Sequence, residues 1–180
     1  MKDETAFIKE LLNVKTQNKA FQQLLQQYQK PLYNHIRNIV LNHDDTDDVL
    51  QNTFIKIYQN LQNFKGESKL FSWMYRIATN ESITFINSKA KRGGFTTNEY
   101  QQKAIENLQA DVYFDGNDIQ IKLQKAIQLL PKKQQLVFKM KYFEEHKYED
   151  MSTILGTSVG ALKASYHHAV KKIEQYLKTN

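Results

Sequence analysis

The sequence contains no cysteine, two prolines, six glycines and one tryptophan in 180 residues. Without thiols there is no disulfide framework, no Cys-type zinc centre and no thiol nucleophile. So little proline and glycine leaves few turn signals, which suits helices and argues against a β-rich fold. No apolar run exceeds a few residues and the mean hydropathy is −0.64, so no segment is expected to span a bilayer. The opening Met1-Lys2-Asp3-Glu4 lacks the apolar stretch of a secretory signal, so a soluble, cytoplasmic chain is expected. Neither a GxxxxGK[ST] nor an HExxH string occurs. The five histidines (His35, His43, His146, His167, His168) are scattered, so spacing indicates no metal site and no cofactor.

What is present is apolar patterning and an uneven positive charge. Hydrophobic residues make up 41%, enough to build cores. Residues 1–90 carry 11 basic and 9 acidic groups, 91–118 carry 3 and 5, and 119–180 carry 11 and 5. The surplus of the whole chain equals that of its last third, which points to a C-terminal module facing a polyanion.

Apolar spacing predicts an all-α fold of two small helical domains, residues 1–92 and 119–180, joined by a linker over 93–118. Phe21, Leu24, Leu25, Tyr28, Leu32, Ile36, Ile39 and Val40 recur at helical steps, with a break or kink expected at Pro31. The cluster Asp44-Asp45-Thr46-Asp47-Asp48 reads as the capped, acidic start of a helix over about 46–61. Another is expected over roughly 70–89, burying Leu70, Trp73, Met74, Ile77 and Ala78. Gly93-Gly94 opens a stretch with little stripe, with at most a frayed helix near 101–109. Ile119, Leu123, Ile127 and Leu130 form a stripe that stops at Pro131, and 132–142 is the next helix.

Residues 148–173, YEDMSTILGTSVGALKASYHHAVKKI, read as a helix-turn-helix. Met151, Ile154 and Leu155 make a short apolar helix ending at Gly156, and Ser158 is a natural N-cap for the second. That second helix turns Leu162, Tyr166, Ala169 and Ile173 inward. Outward it shows Lys163, His167 and Lys171 in one line, with small residues Gly160, Ala161 and Ala164 near its start. Small residues let a helix approach base edges while lysines hold phosphates. An αα-hairpin with a solvated lysine face is the alternative. Upstream, Phe71, Trp73 and Tyr75 interleave with Lys65, Lys69 and Arg76, which suits single-stranded DNA; Trp73 taken alone reads as core, since aromatic residues dominate cores. Lys89, Lys91 and Arg92 close the module with a basic tail.

DDTDDVLQNTFIKIYQNLQNF (44–64), WMYRIATN (73–80) and KAKR (89–92) resemble region two of the extracytoplasmic-function (ECF) sigma factors of bacterial RNA polymerase. Residues 123–177 resemble region four of the same family, and the two occur in that family's order. The resemblance implies that Asp48, Gln51 and Asn52 face the β′ clamp helices of core polymerase, with region four on the β flap. It implies that Phe64, Lys65, Lys69, Trp73, Arg76, Asn80, Lys89, Lys91 and Arg92 open and read the minus-ten element. Base extrusion suits such a reader, because a base edge is hidden until the strands part. Gly160, Ala161, Lys163, Ala164, His167 and Lys171 would read the minus-thirty-five element in the major groove. An anti-sigma factor, able to hold the chain at the inner membrane without its own insertion, is a further implied partner. The chain departs from the family pattern at Thr84, Asn87, Gln135 and Ser165, where acidic or arginine side chains are common. Two other classes stay open: a stand-alone helix-turn-helix regulator whose first module dimerises or senses a ligand, and a helical adaptor that binds no DNA.

Overall fold

A computed structural model describes residues 3–110 and 118–179. All-helical architecture is borne out: among the described residues there are α-helices and two short 3-10 turns, and no strand. The helices are α1 (Glu4–Leu12), α2 (Gln17–Val40), α3 (His43–Asn60), α4 (Leu70–Arg92) and α5 (Thr97–Glu106). After residues 111–117 come α6 (Asp118–Gln128), α7 (Lys132–Tyr142), α8 (Tyr148–Leu155) and α9 (Val159–Thr179).

Helix α1 went unpredicted, since its apolar stripe is one short segment. It buries Leu11 and reaches across the fold, where Glu4 Oε1 accepts from the backbone N–H of Leu70 at 2.8 Å. That contact matters because Lys69, at the N-cap of α4, offers no acceptor of its own. Helix α2 runs on through Pro31, contrary to the expected break. Pro31 removes one backbone hydrogen bond, a cost of about 3 kcal/mol. Leu24 before it and Leu32, Ile36 and Val40 after it are fully buried on one face. At roughly 1.5–3 kcal/mol each, their burial outweighs the loss.

Helix α3 begins at His43, three residues earlier than expected, because Asn42 rather than the aspartates supplies the cap: its side chain accepts from Asp45 N–H at 2.9 Å. The acidic cluster lies inside the first two turns, where the helix dipole favours it. Helix α4 continues to Arg92, past the expected end at 89. In the expected linker, α5 is well formed, held by a reciprocal capping box between Thr96 and Glu99. Residues 111–117 of that linker lie outside the described residues.

Helices α1 to α4 pack as a bundle whose apolar core includes Leu24, Leu32, Ile36, Ile57, Leu70 and Met74. That core does not stop at α4. Val137 and Met140 of α7, Met151 and Ile154 of α8, and Leu162 of α9 belong to the same cluster. A second core within the C-terminal segment gathers Ala126, Ile127, Leu130, Phe138, Ala169 and Ile173. Ile119, placed by spacing in that stripe, is exposed, while Ile121 is buried instead. Leu41 takes a left-handed backbone (φ 67°) and buries its side chain against Ile105 and Leu108, which offsets the strain.

Candidate nucleic-acid interface

The helix-turn-helix forms as the residues dictate. Gly156 ends α8 in the left-handed conformation (φ 63°), where a Cβ would be strained. Residues 156–160, Gly-Thr-Ser-Val-Gly, spell the G-x-S-x-G string of serine hydrolases. That chemistry needs a strand–turn–helix with an exposed nucleophile. Here a helix precedes the string, and the Ser158 hydroxyl accepts from Ala161 N–H at 3.4 Å as a cap. Beyond it, Leu162, Ala169 and Ile173 are buried and Tyr166 is half-buried. Gly160, Ala161, Lys163, Ala164, His167 and Lys171 are all exposed on α9. Lys163 Nζ stands 5.7 Å from the centre of the Tyr148 ring, and Lys141 Nζ stands 5.1 Å from it. Tyr148, which the sequence reading did not single out, therefore orients two cations beside the α9 face.

The candidate minus-ten residues are arranged differently. Phe64 is buried and packs on Trp73 at 5.1 Å between ring centres, so Phe64 supports Trp73 from below. Trp73 and Asn80 share an open groove of about 300 Å³ with Lys56, Asn60, Asn63 and Ile77. Asn60 and Asn63, in the 44–64 string but not singled out there, reach the groove from the turn that closes α3. Lys65 is exposed. Lys69 pairs with Asp150 of α8 at 2.7 Å, which raises the pKa of its ammonium above the ordinary value through the hydrogen bond and the Asp150 charge. The Arg76 guanidinium donates to the backbone carbonyl of Thr153, also on α8. Lys89 pairs with the buried Asp45, which also accepts from the Tyr100 hydroxyl at 2.5 Å. Lys91 and Arg92 are exposed at the end of α4.

Asp48, Gln51 and Asn52 are exposed on α3, on one stripe with Ile55, which is 48% exposed. An apolar side chain left uncovered inside a polar stripe is a feature that alternation alone did not flag.

Where the two halves meet, a cavity of about 220 Å³ opens among Ile39, Ile86, Gln101, Lys132, Gln135 and Lys139. Lys139 is buried, and burial together with the nearby Lys132 charge pushes its ammonium down to about 8. Beside it Glu144 accepts from the rings of His35 and His146 at 2.8 and 2.9 Å. Burial alone would raise the Glu144 carboxyl, but the His35 charge and these hydrogen bonds outweigh it and hold it at about 2. No helix among the described residues is long and apolar enough to cross a membrane.

Comparison with known proteins agrees with this arrangement. Residues 24–92 match the family Sigma-70 region 2, and residues 120–173 match Sigma-70, region 4. The RNA polymerase sigma-H factor of Pseudomonas aeruginosa is 28% identical over 169 residues, covering 88% of this chain and 86% of that one. The ECF RNA polymerase sigma factor SigW of Bacillus subtilis is 26% identical over 169 residues, 88% and 89% of the two chains. CnrH, solved in complex with the cytosolic domain of CnrY, superposes with a TM-score of 0.71 at 18% identity, over 99% of this chain and 98% of that one. The sigma factor RpoE of Bartonella quintana, solved with the anti-sigma factor NepR, gives 0.66 at 20% identity, over 90% and 99%. Two polymerase-factor regions in the expected order, on a fold shared along nearly the whole chain, place this protein among the ECF sigma factors, which direct RNA polymerase to promoters.

Proposed function

We propose that the division of labour within this sigma factor follows the two halves, 1–92 and 119–180, with 93–118 between them. The α3 stripe of Asp48, Gln51, Asn52 and Ile55 docks on the β′ clamp helices of core polymerase, and the C-terminal half meets the β flap. The groove of Trp73 and Asn80 holds a base drawn out of the minus-ten element. Lys65, Lys69, Arg76, Lys89, Lys91 and Arg92 neutralise the phosphates on either side. The α9 face enters the major groove of the minus-thirty-five element, with Lys163 and Lys171 on phosphates and the small residues against base edges. Lysine is a point charge and reads bases less sharply than arginine, so the α9 contacts supply affinity more than sequence choice. The chain carries no catalysis of its own and lends promoter choice to the enzyme it joins.

The observation that carries this reading is the exposure of the whole α9 set together with the open Trp73–Asn80 groove. An anti-sigma factor of the kind seen with the structural neighbours would regulate the chain in the cytoplasm, at the inner membrane where that partner is membrane-bound. The test is reconstituted run-off transcription: adding the purified chain to core polymerase on genomic fragments yields discrete new start sites. Asp48→Arg abolishes recovery of β′ with the chain while leaving its fold unchanged. A palindromic footprint from a stable dimer, with no response to core polymerase, would instead support the stand-alone regulator.

A further inference from the structure

We infer that His35, Glu144 and His146 form a binding site for a divalent transition-metal ion of the imidazole-preferring kind, such as Zn²⁺, Ni²⁺ or Co²⁺. Sequence spacing gives no hint of it, because the ligands come from α2 and from the turn between α7 and α8. In the fold, one ligand atom of each lies within 4.8 Å of the others. All three side chains are sheltered: His35 is fully buried, and the Glu144 and His146 side chains are 9% and 11% exposed.

The hydrogen bonds around the cluster prepare a cation site. His35 Nε2 lies 2.8 Å from Thr79 Oγ1, and that hydroxyl donates to the Tyr75 carbonyl at 2.7 Å. A hydroxyl whose proton is so committed accepts from His35 Nε2–H, so Nδ1, turned toward Glu144, is the nitrogen whose proton a metal ion can replace. Between that nitrogen and the carboxylate, 2.8 Å apart, sits a cation, either the ring proton or a metal ion that displaces it. A backing acceptor that fixes the tautomer in this way is the outer shell metal-binding histidines use. Asn38 Nδ2 holds the other Glu144 oxygen at 3.2 Å.

Backbone and aromatics complete the enclosure. Glu145 has a left-handed backbone (φ 54°), unusual outside glycine, and sits between Glu144 and His146, which both turn to His35. Tyr75 packs on the His35 and His146 rings at 4.8 and 5.1 Å, and Phe71 on His146 at 5.3 Å. Two imidazoles and one carboxylate suit zinc and its neighbours, with water as fourth ligand, and not Ca²⁺ or Mg²⁺, which take oxygen. Bonds of about 2 Å need ligand edges of about 3.4 Å, so on binding Glu144 withdraws by roughly half an ångström while the His35 and His146 nitrogens close toward each other from within 4.8 Å. The ion ties α2 to the α7–α8 turn and so holds the two halves together.

The test is metal titration of the full chain after chelator treatment. The expected result is one equivalent of Co²⁺ bound with visible d–d absorption, displaced by Zn²⁺, and a melting temperature that rises with metal concentration. With no cysteine in the chain, such bands arise from nitrogen and oxygen donors alone. Glu144→Gln and His146→Gln each weaken binding at least ~10-fold, the loss that removing even an outer-shell partner of a metal site brings. His168→Ala, on exposed α9, leaves it unchanged. Absence of uptake by the wild-type chain at ~100 µM metal overturns the inference and leaves protons as the bridging cations. Uptake that survives both substitutions overturns it too. Far-UV circular dichroism checks that the variants fold, and if Glu144→Gln does not, His146→Gln decides. None of these outcomes bears on promoter direction, which the transcription assay tests separately.

Discussion

Two cationic faces of this protein differ in what their charges touch. On α9, Lys163, His167 and Lys171 project into solvent, and no ion pair engages them among the described residues. On α4, Lys69 and Arg76 are already engaged, and both partners lie on α8. Helix α8 is the first helix of the same helix-turn-helix whose second helix stays open. One docking event therefore leaves the α9 face available while occupying part of the α4 face. The magnitudes say which contact sustains the closure. Lys69 is 60% exposed, so its pair with Asp150 is worth about 0.2–1 kcal/mol. Burying Met151 and Ile154 in the shared core contributes roughly 1.5–3 kcal/mol each, an upper bound because the unfolded chain already hides some surface. Apolar contact closes the molecule; the polar contacts fix where α8 sits.

The largest effect is expected from disrupting that apolar contact. Ile154→Asp puts an unpaired charge into a core that serves both halves and costs about 3–5 kcal/mol. In urea, one transition shifted to lower concentration is expected, since the N-terminal bundle loses packing along with α8. Two separated transitions, the first half unaffected, would mean that the cores act independently and that the α4 face is covered only loosely.

Next in size is the buried cation at the junction. The Lys139 ammonium titrates near 8 in the folded chain against 10.5 ordinarily. Between those values the unfolded chain holds a proton that the folded chain has lost, so stability rises with pH across that window. Below it, burying the charge costs the fold roughly 3 kcal/mol. Lys139→Met, close in length and apolar, is expected to raise the urea midpoint at neutral pH and to flatten the rise between about 8 and 10.5. A flat profile in the wild-type chain would show that Lys139 reaches water through the cavity.

These two experiments probe what the sequence could not display. Local elements were legible: the α7 boundaries, the Gly156 stop, the Ser158 cap and the inward Leu162, Ala169 and Ile173 all follow from spacing and turn chemistry. Local readings failed where a distant residue decides. Pro31 breaks nothing because residues on both sides of it are buried by other helices. Helix α4 starts at Leu70 with help from Glu4, 66 residues away. Ile55 lies exposed in the polar stripe of α3, off the inward line of Leu50, Phe54, Ile57 and Leu61, and spacing gives it no role. The candidate site was readable as residue types on helix faces, but not which of its cations are occupied. Asp150 and Thr153 face α4 only because a shared core places them there, and no period in the sequence encodes that.

A smaller effect separates the faces by function. Lys163→Glu reverses an open α9 charge, and binding of the reconstituted holoenzyme to a minus-thirty-five duplex is expected to weaken about 10-fold. The salt dependence should flatten by roughly one released counterion. Recovery of core polymerase with the chain should be unchanged, because α3 is untouched. Equal loss of both would show that the substitution disturbs the fold rather than the groove contact.

The smallest change tests the covered face most directly. Asp150→Ala removes the Lys69 partner, and since the pair is exposed, stability should move by less than about 1 kcal/mol. The same fraction of a kcal/mol, returned to Lys69, should raise the affinity of the free chain for single-stranded minus-ten DNA about threefold. The gain must vanish in the Lys69→Ala background if it travels through that ammonium, which makes the double-mutant cycle the decisive measurement. An equal gain with and without Lys69 would mean that Asp150 simply repels DNA. No gain would mean that the pair gives way to phosphate at no net cost, so that only the apolar packing of α8 keeps the α4 face less available than the α9 face.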